Sequence, residues 1–412
     1  MLIDGVTEEW FDQNSIQLYF GHMERYLQKL IQSDALASHK IAFLSGPRQV
    51  GKTSLSKQIL GGGPGYFTWD DDEFKKLWIQ NPKRIFENQG LVVLDEIHKD
   101  RSWKNRLKGL FDLYSEGTRI LVTGSAHLDF YRKSGDSLQG RYFPYRLHPI
   151  SLNERSFVPE PPSGKDWGGE LDTRFHIEDL LSLGGFPEPF LGQNDQKARR
   201  WRRLHRERMI REDLRDLREV KDLEKVRVLS LLLEEKVSGT LSYQSLREDV
   251  GGSFESVKSW VDALEALFFC FRIKPWSKGV KRSLLKEPKV YLYDWAVIEE
   301  PGARFENLIA SHLLKSCQAW SDAAMGDFEL GYLRDKQKRE VDFIITRNKK
   351  PWALVEAKTQ DANPSPSLLY FTQILKPEFS IQVVQNPKKE RRASLHSDVQ
   401  VLDVRRFLSR LV

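Results

Sequence analysis

The sequence predicts an α/β protein organised around a mostly parallel sheet, and three observations carry that reading. Short continuous apolar runs, IAFL at 41–44, LVVL at 91–94 and RILVT at 119–123, alternate with helical patterns up to about Pro149. That is the rhythm of strands covered on both faces by helices. A glycine-rich phosphate-loop pattern follows the first run, and an acidic pair, Asp95 and Glu96, ends the second.

The elements follow in order. Met23, Leu27, Leu30 and Ile31 recur at helical spacing before the first strand. The third run ends in Thr123, Gly124 and Ser125, which offer hydroxyls beside the phosphate loop. The stretch SFVPEPPSGKDWGGELD at 156–172 mixes proline, glycine and charge and reads as an exposed insertion. From about 173 to 222 the pattern is helical, with the arginine-rich centre KARRWRRLHRERMIREDLRDLRE. Residues 223–298 read as three helices and a hairpin, and the remainder returns to mixed α/β. The expected division is therefore a phosphate-loop core at 1–150, a helical lid with the basic helix at 151–222, a winged helix at 223–298, and an α/β domain at 299–412.

Length, charge and cysteines bound the functional class. A chain of 412 residues exceeds one compact core and predicts two to four domains. The formal charge of +6 tilts the partner toward nucleic acid or another polyanion without specifying one. Cys270 and Cys317 stand far apart with no CxxC pattern, so the sequence suggests neither a disulfide framework nor a structural zinc. The acidic start MLIDGVTEEWFDQ is unlike a signal peptide, and no apolar run approaches a bilayer-spanning length. The expected setting is a reducing cytoplasm, with no membrane partner.

Gly46, Pro47, Arg48, Gln49, Val50, Gly51, Lys52 and Thr53, followed by Ser54, fit G-x-x-x-x-G-K-[ST] between a strand and a helix. Backbone amides and the helix N-terminus cradle phosphates in such a loop. Lys52 would reach the β and γ phosphates of ATP, and the Thr53 hydroxyl would ligate Mg²⁺. Asp95 would hold the same Mg²⁺ through water, and Glu96 would polarise the attacking water. Ser125 is a candidate sensor of the γ-phosphate.

Taken together, GPRQVGKT (46–53), VVLDEIHK (92–99) with Trp103 and Leu107, ILVTGSA (120–126), the 138–141 stretch leading to LHPISLNE (147–154), GGFPE (184–188), FENLIA (305–310), REVDFII (339–345) and LVEAK (354–358) resemble AAA+ ATPases that join an AAA_14-like core to a carboxy-terminal DUF4143-type domain. The resemblance spans most of residues 20–360. It implies ATP hydrolysis assisted by an arginine that neutralises γ-phosphate charge, in cis or from a neighbouring subunit. Arg141 is the candidate. It also implies self-association into an oligomer such as a hexamer.

In the winged helix, Val226, Leu229, Leu233 and Val237 form one apolar stripe, and Ser242 caps a second helix stopping near Gly251 and Gly252. Phe254, Val257, Val261, Leu264 and Phe268 form the buried stripe of the third. If it binds DNA, that helix enters a groove while Lys278, Lys281 and Arg282 of the hairpin loop contact phosphates. If it packs on protein, the same fold serves as a docking surface.

The last segment places Asp342 in the strand EVDFII, with Glu356 and Lys358 ending the next strand on one face and Glu306 in a nearby helix. This resembles the PD-(D/E)XK nuclease-like fold. The resemblance implies a second Mg²⁺ held by Glu306, Asp342 and Glu356, with Lys358 catalytic rather than ligating; Glu340 is read as lying outside that set. Two functions follow: an ATP-driven protein that binds and remodels or processes DNA, branched or broken DNA among the candidates, or an ATP-dependent switch on a protein partner with a silent nuclease-like domain.

Overall fold

The computed structural model describes residues 23–87, 89–124, 138–164, 166–217, 222–277, 287–360, 363–387, 391–392 and 399–412. Ser125, Lys278, Lys281 and Arg282 lie outside them. Strands β1 (Ile41–Ser45), β2 (Tyr66–Thr68), β3 (Leu91–Asp95), β4 (Arg119–Thr123) and β5 (Tyr142–Arg146) form a sheet in the order β2-β3-β4-β1-β5. Every pair is parallel. Strand β1 lies between β4 and β5 and is buried throughout, which is why its sequence is a continuous apolar run rather than an alternating one. Helix α1 (Lys52–Leu60) leaves the carboxyl end of β1. Helix α2 (Trp103–Tyr114) buries Trp103, Leu107 and Leu110 at i, i+4 and i+7 against the sheet.

Helix α3 (Asp195–Arg208) starts on the Asn194 cap and continues through a π-helical turn at Met209–Asp213 into a short helix at Leu214–Leu217. Helices α4 (Leu223–Glu235), α5 (Tyr243–Val250) and α6 (Phe254–Ala266) follow, with Ser242 and Ser253 as N-caps of the latter two. Val257, Val261 and Leu264 are buried as the spacing predicts, but Phe254 is 42% exposed. It occupies the first position of α6, ahead of the packed turn, and rests edge-on against Tyr243.

The hairpin does not stand apart as a free wing. Its strands, β6 (Cys270–Pro275) and β7 (Lys289–Leu292), extend a sheet with β8 (Phe328–Arg334), β9 (Glu340–Arg347), β10 (Lys350–Lys358), β11 (Phe379–Val384), β12 (Arg391–Arg392) and β13 (Val399–Asp403), in the order β12-β13-β11-β10-β9-β8-β6-β7. Lys274 and Pro275 pair in parallel with Gly331 and Tyr332. A Cβ on Gly331 would sit 2.8 Å from the Lys274 carbonyl oxygen, so only glycine admits this approach.

Helix α7 (Pro301–Asp322) carries Glu300 as its cap and Pro301 in its first turn. It is buried along most of its length because it serves two partners. Asn307 donates to the Leu292 carbonyl (2.8 Å) and accepts from the Leu292 amide (2.7 Å), closing the β7 edge. At its far end Asp322 pairs with Arg146 of β5 at 2.6 Å. Helix α8 (Pro366–Leu375) covers the β9–β10 face of the second sheet. One apolar cluster runs from Met23 to Val412 through both sheets, so the core is continuous across the expected domain boundaries. No helix among the described residues is long and apolar enough to cross a membrane.

Candidate nucleotide site and acidic cluster

All the parallel strands of the first sheet end on one edge, and this edge gathers the phosphate loop, Asp95, Glu96 and Thr123. The loop turns on left-handed backbone at Gln49 (φ 62°) and Gly51 (φ 100°). Gly46 has φ 153°, and a Cβ there would meet the Leu147 carbonyl oxygen at 2.3 Å. Lys52 opens α1 and folds back over the loop, donating to the carbonyls of Gly46 (2.9 Å) and Pro47 (2.7 Å). Burial pulls its ammonium below the usual lysine value, against the fields of Glu96 and Asp95.

Asp95, at the end of β3, is held from two neighbouring strands and a helix. It accepts hydrogen bonds from Thr53 Oγ1 (3.1 Å), Tyr66 Oη (2.5 Å) and Thr123 Oγ1. Thr123 thus orients the carboxylate, and Tyr66 joins a set that sequence spacing did not reveal. Glu96 is one residue beyond β3, in left-handed backbone at φ 57°, a strained conformation for a non-glycine residue. Burial raises its carboxyl above the usual value, opposed chiefly by Lys52. His98 Nε2 lies 3.6 Å from it. The Thr53 hydroxyl and the Asp95 carboxylate form an all-oxygen pair beside the loop, a donor set suited to Mg²⁺.

Arg141 lies away from this edge. Its carbonyl accepts from the amide of Ile41, so it stands at the amino edge of β1. Five strand residues, about 16 Å, separate that edge from the phosphate loop. There it pairs with Asp112 of α2 at 2.8 Å. A role within its own subunit's nucleotide site is excluded by this geometry, because parallel strands carry residues 46 and 141 to opposite edges.

The variable residues of the loop are held by the basic helix. Arg48 reaches Asp213 (2.6 Å) and Glu212 (3.2 Å) in the π-helical turn. Gln49 Oε1 pairs with His205 Nδ1 at 3.0 Å, and Trp201 stacks on that imidazole. Burial, with Arg48 and Lys52 nearby, lowers the His205 pKa to about 4, so the ring is neutral at pH 7. Behind the loop, the buried Arg25 donates to the Val50 carbonyl (2.8 Å), the His148 carbonyl (2.6 Å) and Glu154 (2.9 Å). Glu154 also accepts from Lys315 of α7 at 2.6 Å. Its burial works to raise its pKa, but Arg25 and Lys315 outweigh that and hold it at about 2.

In the second sheet the sequence-predicted residues gather around a residue the sequence reading did not include. Lys289 of β7 places its ammonium 2.7 Å from Glu340, 3.5 Å from Glu306 and 3.7 Å from Asp342. Glu340 therefore belongs to the cluster, since residues 340 and 342 share a strand face. Tyr291 Oη donates to Glu306 (2.7 Å), and the Ala357 amide donates to Asp342 (3.0 Å). Glu356 is taken by Lys358 (2.8 Å) and Ser365 (2.5 Å). Burial and Glu306 raise the Asp342 pKa to about 7, against Lys289. Among the described residues no group of three carboxylate, histidine or cysteine side chains has metal-holding geometry. The expected second Mg²⁺ site does not fit, because a resident ammonium stands between its carboxylates.

A phosphate loop at the carboxyl edge of a parallel sheet, facing a strand-terminal Asp-Glu pair, defines a P-loop nucleotide-binding class. Residues 38–156 match the AAA_14 family model, an AAA domain, and residues 301–407 match DUF4143, a domain of unknown function. The chain thus carries an AAA-type ATPase domain followed by a DUF4143 domain. Residues 174–299 match a further domain of unknown function, DUF8612, which runs across the expected boundary at 222. An uncharacterized protein of Mycobacterium tuberculosis is 21% identical over 343 residues, covering 81% of this chain and 74% of that protein. Another from Methanocaldococcus jannaschii is 23% identical over 375 residues, covering 78% and 76%. A third from Haemophilus influenzae is 24% identical over 362 residues, covering 79% and 83%. A structure of C. elegans PCH-2 aligns with 60% of this chain and 69% of that one at 15% identity, with a TM-score of 0.22, too low to mark a shared fold.

Proposed function

We propose that this chain is an ATP-hydrolysing AAA+ protein whose nucleotide cycle drives the binding and remodelling or processing of DNA. The observation that carries the reading is the contact between phosphate loop and basic helix: Arg48 and Gln49 are held by Asp213, Glu212 and His205. A change in the loop on nucleotide binding is thereby felt along an arginine-rich surface suited to phosphates.

The fit of Thr53 and Asp95 to Mg²⁺ supports an ATP site in which the ion, when bound, supplies Lewis acidity. Lys52 leaves the carbonyls of Gly46 and Pro47 for the β and γ phosphates. The amides of the 46–54 segment cradle them, and Glu96 accepts the proton of the attacking water at its carboxylate. Ser125 is assigned to γ-phosphate sensing. Arg141 is assigned to the site of a neighbouring subunit, which makes turnover depend on self-association.

A second reading is favoured by one observation, the Lys289 ammonium among Glu306, Glu340 and Asp342. It supports a nuclease-like domain that does not cleave, within an ATP-dependent switch acting on a protein partner. Steady-state ATP turnover, alone and with duplex, single-stranded and four-way-junction DNA, separates the two, with Lys52→Ala as background. Stimulation by a DNA form is the expected result. Turnover indifferent to every DNA overturns the DNA reading in favour of the protein-partner switch.

A further inference from the structure

A cleft of about 1330 Å³ opens along α3, the π-helical turn, α4 and the start of α7. Eight arginines and four carboxylates line it, so its charge is positive. Four of the arginines are committed to the fold. Arg202 pairs with Asp294 at 3.3 Å, Arg206 with Glu234, and Arg227 with Glu224 at 2.8 Å, while Arg304 donates to the Ile298 carbonyl at 2.7 Å. The other four, Arg199, Arg203, Arg211 and Arg215, are exposed and make no ion pair or hydrogen bond among the described residues.

Asp195 and Glu207 stand four residues from these arginines in sequence without pairing with them, and the arginines also follow one another. Residues 199 and 203, and again 211 and 215, are i,i+4 neighbours of like charge, an arrangement that costs stability on a helix. The second pair is twelve residues beyond the first, which on an uninterrupted α-helix turns it about 120° away. The wider π-helical turn at Met209–Asp213 intervenes and reduces that rotation, aligning both pairs on the cleft. The same turn presents Glu212 and Asp213 to Arg48 of the phosphate loop. One helix defect thus sets the arginine row on one side and grips the nucleotide site on the other.

We infer that this cleft binds the phosphodiester backbone of nucleic acid through Arg199, Arg203, Arg211 and Arg215. Free guanidinium forks suit phosphate oxygens. The described lining residues include no aromatic side chain, so bases find no ring platform and recognition is chiefly of the backbone, without sequence. The inference rests on the DNA reading above and assigns the binding surface to this cleft rather than to the hairpin loop at 278–282.

The test measures binding of labelled duplex, and of the same sequence single-stranded, by anisotropy across a salt series using the full chain. The wild type is compared with R199Q/R203Q/R211Q/R215Q, with each pair alone, with the fourfold lysine replacement, and with K278Q/K281Q/R282Q. The fourfold glutamine variant is expected to bind at least about tenfold more weakly near 0.1 M salt. Its salt slope falls by about 0.9 for each duplex phosphate that is no longer neutralised, or about 0.7 on a single strand. Each pair alone gives part of the weakening, the lysine replacements restore the slope, and thermal unfolding of the glutamine variants is not lowered, since they relieve the like-charge pairs. The larger weakening identifies the preferred nucleic-acid form. Wild-type binding in the cleft variants, with weakened binding in the hairpin-loop variant, overturns the inference while leaving the DNA reading intact. A wild-type chain that binds neither form at low salt overturns both.

Discussion

Replacing Glu154 by glutamine tests the buried cluster that ties the phosphate loop to α7. Glu154 is one carboxylate shared by two buried cations, Arg25 and Lys315. Its pKa falls from 4.5 to about 2, and at about 1.4 kcal/mol for each tenfold change in proton affinity that is about 3 kcal/mol of stabilisation. Because the folded value is depressed, this contribution is present above pH 4.5 and is lost as the pH falls toward 2. Lys315 experiences the opposite balance. Burial lowers its pKa to about 8, and Arg25 adds to that, while Glu154 alone opposes it. The cluster therefore carries one cation more than it neutralises. Glu154→Gln leaves two buried cations without a counterion and is expected to cost about 3–5 kcal/mol at pH 7. Lys315→Met removes the excess charge and is expected to cost at least about 2 kcal/mol less. Urea titrations followed by tryptophan fluorescence at pH 7 give both values. A Glu154→Gln cost below about 1 kcal/mol, or a Lys315→Met cost equal to it, would refute the assignment of Glu154 as the shared counterion. Nucleotide affinity should weaken in Glu154→Gln, because Arg25 then loses the partner that aligns it on the Val50 carbonyl.

Glu96→Gln should lower ATP turnover by about 10²–10⁴-fold while retaining nucleotide binding, as single-turnover and equilibrium binding assays would report; unchanged turnover removes Glu96 from the reaction. Asp342 has a raised pKa, from 3.8 to about 7, so its ionisation weakens the fold as pH rises through that window. Asp342→Asn should therefore gain stability relative to wild type at pH 8 compared with pH 5, and thermal unfolding at the two values decides it. Lys289→Met should cost about 3–5 kcal/mol by stranding three carboxylates, and a neutral outcome would show that they are solvated. Purified wild-type protein with Mg²⁺ should leave duplex DNA intact in a gel assay; cutting that Asp342→Ala abolishes would mean that the acids recruit metal despite Lys289.

The nucleotide site was legible because its parts are contiguous. Eight residues from 46 to 53 carry the loop, and an apolar strand ending in Asp95 and Glu96 announces its own sheet edge. The helix cap Ser242 was an equally local signal. What the sequence hid depends on distant partners. Arg25 and Glu154 are 129 positions apart, and Lys315 lies another 161 beyond Glu154, so nothing local marks them as one cluster. The LHPISLNE motif did contain Glu154, but its chemistry needed the cations to be seen. Nothing in the sequence singled out Lys289, whose place among the acids depends on β7 joining the second sheet. Whether Arg141 acts in its own subunit or a neighbour's stayed open in the sequence, because a motif fixes a residue's position in the chain and not the sheet edge to which parallel pairing carries it.

The seam at Gly331 bears on how chains of this kind can be rearranged. Where the hairpin meets β8 and Asn307 seals the outermost strand, a break between residues 298 and 299 would part a continuous sheet and bare the backbone of β8. An unpaired strand edge invites intermolecular pairing. A gene fusion that exchanged the DUF4143 segment alone would inherit that liability, whereas one that carried residues from the hairpin onward would not. The smallest heritable unit of this architecture is thus larger than the family boundary at residue 301 suggests.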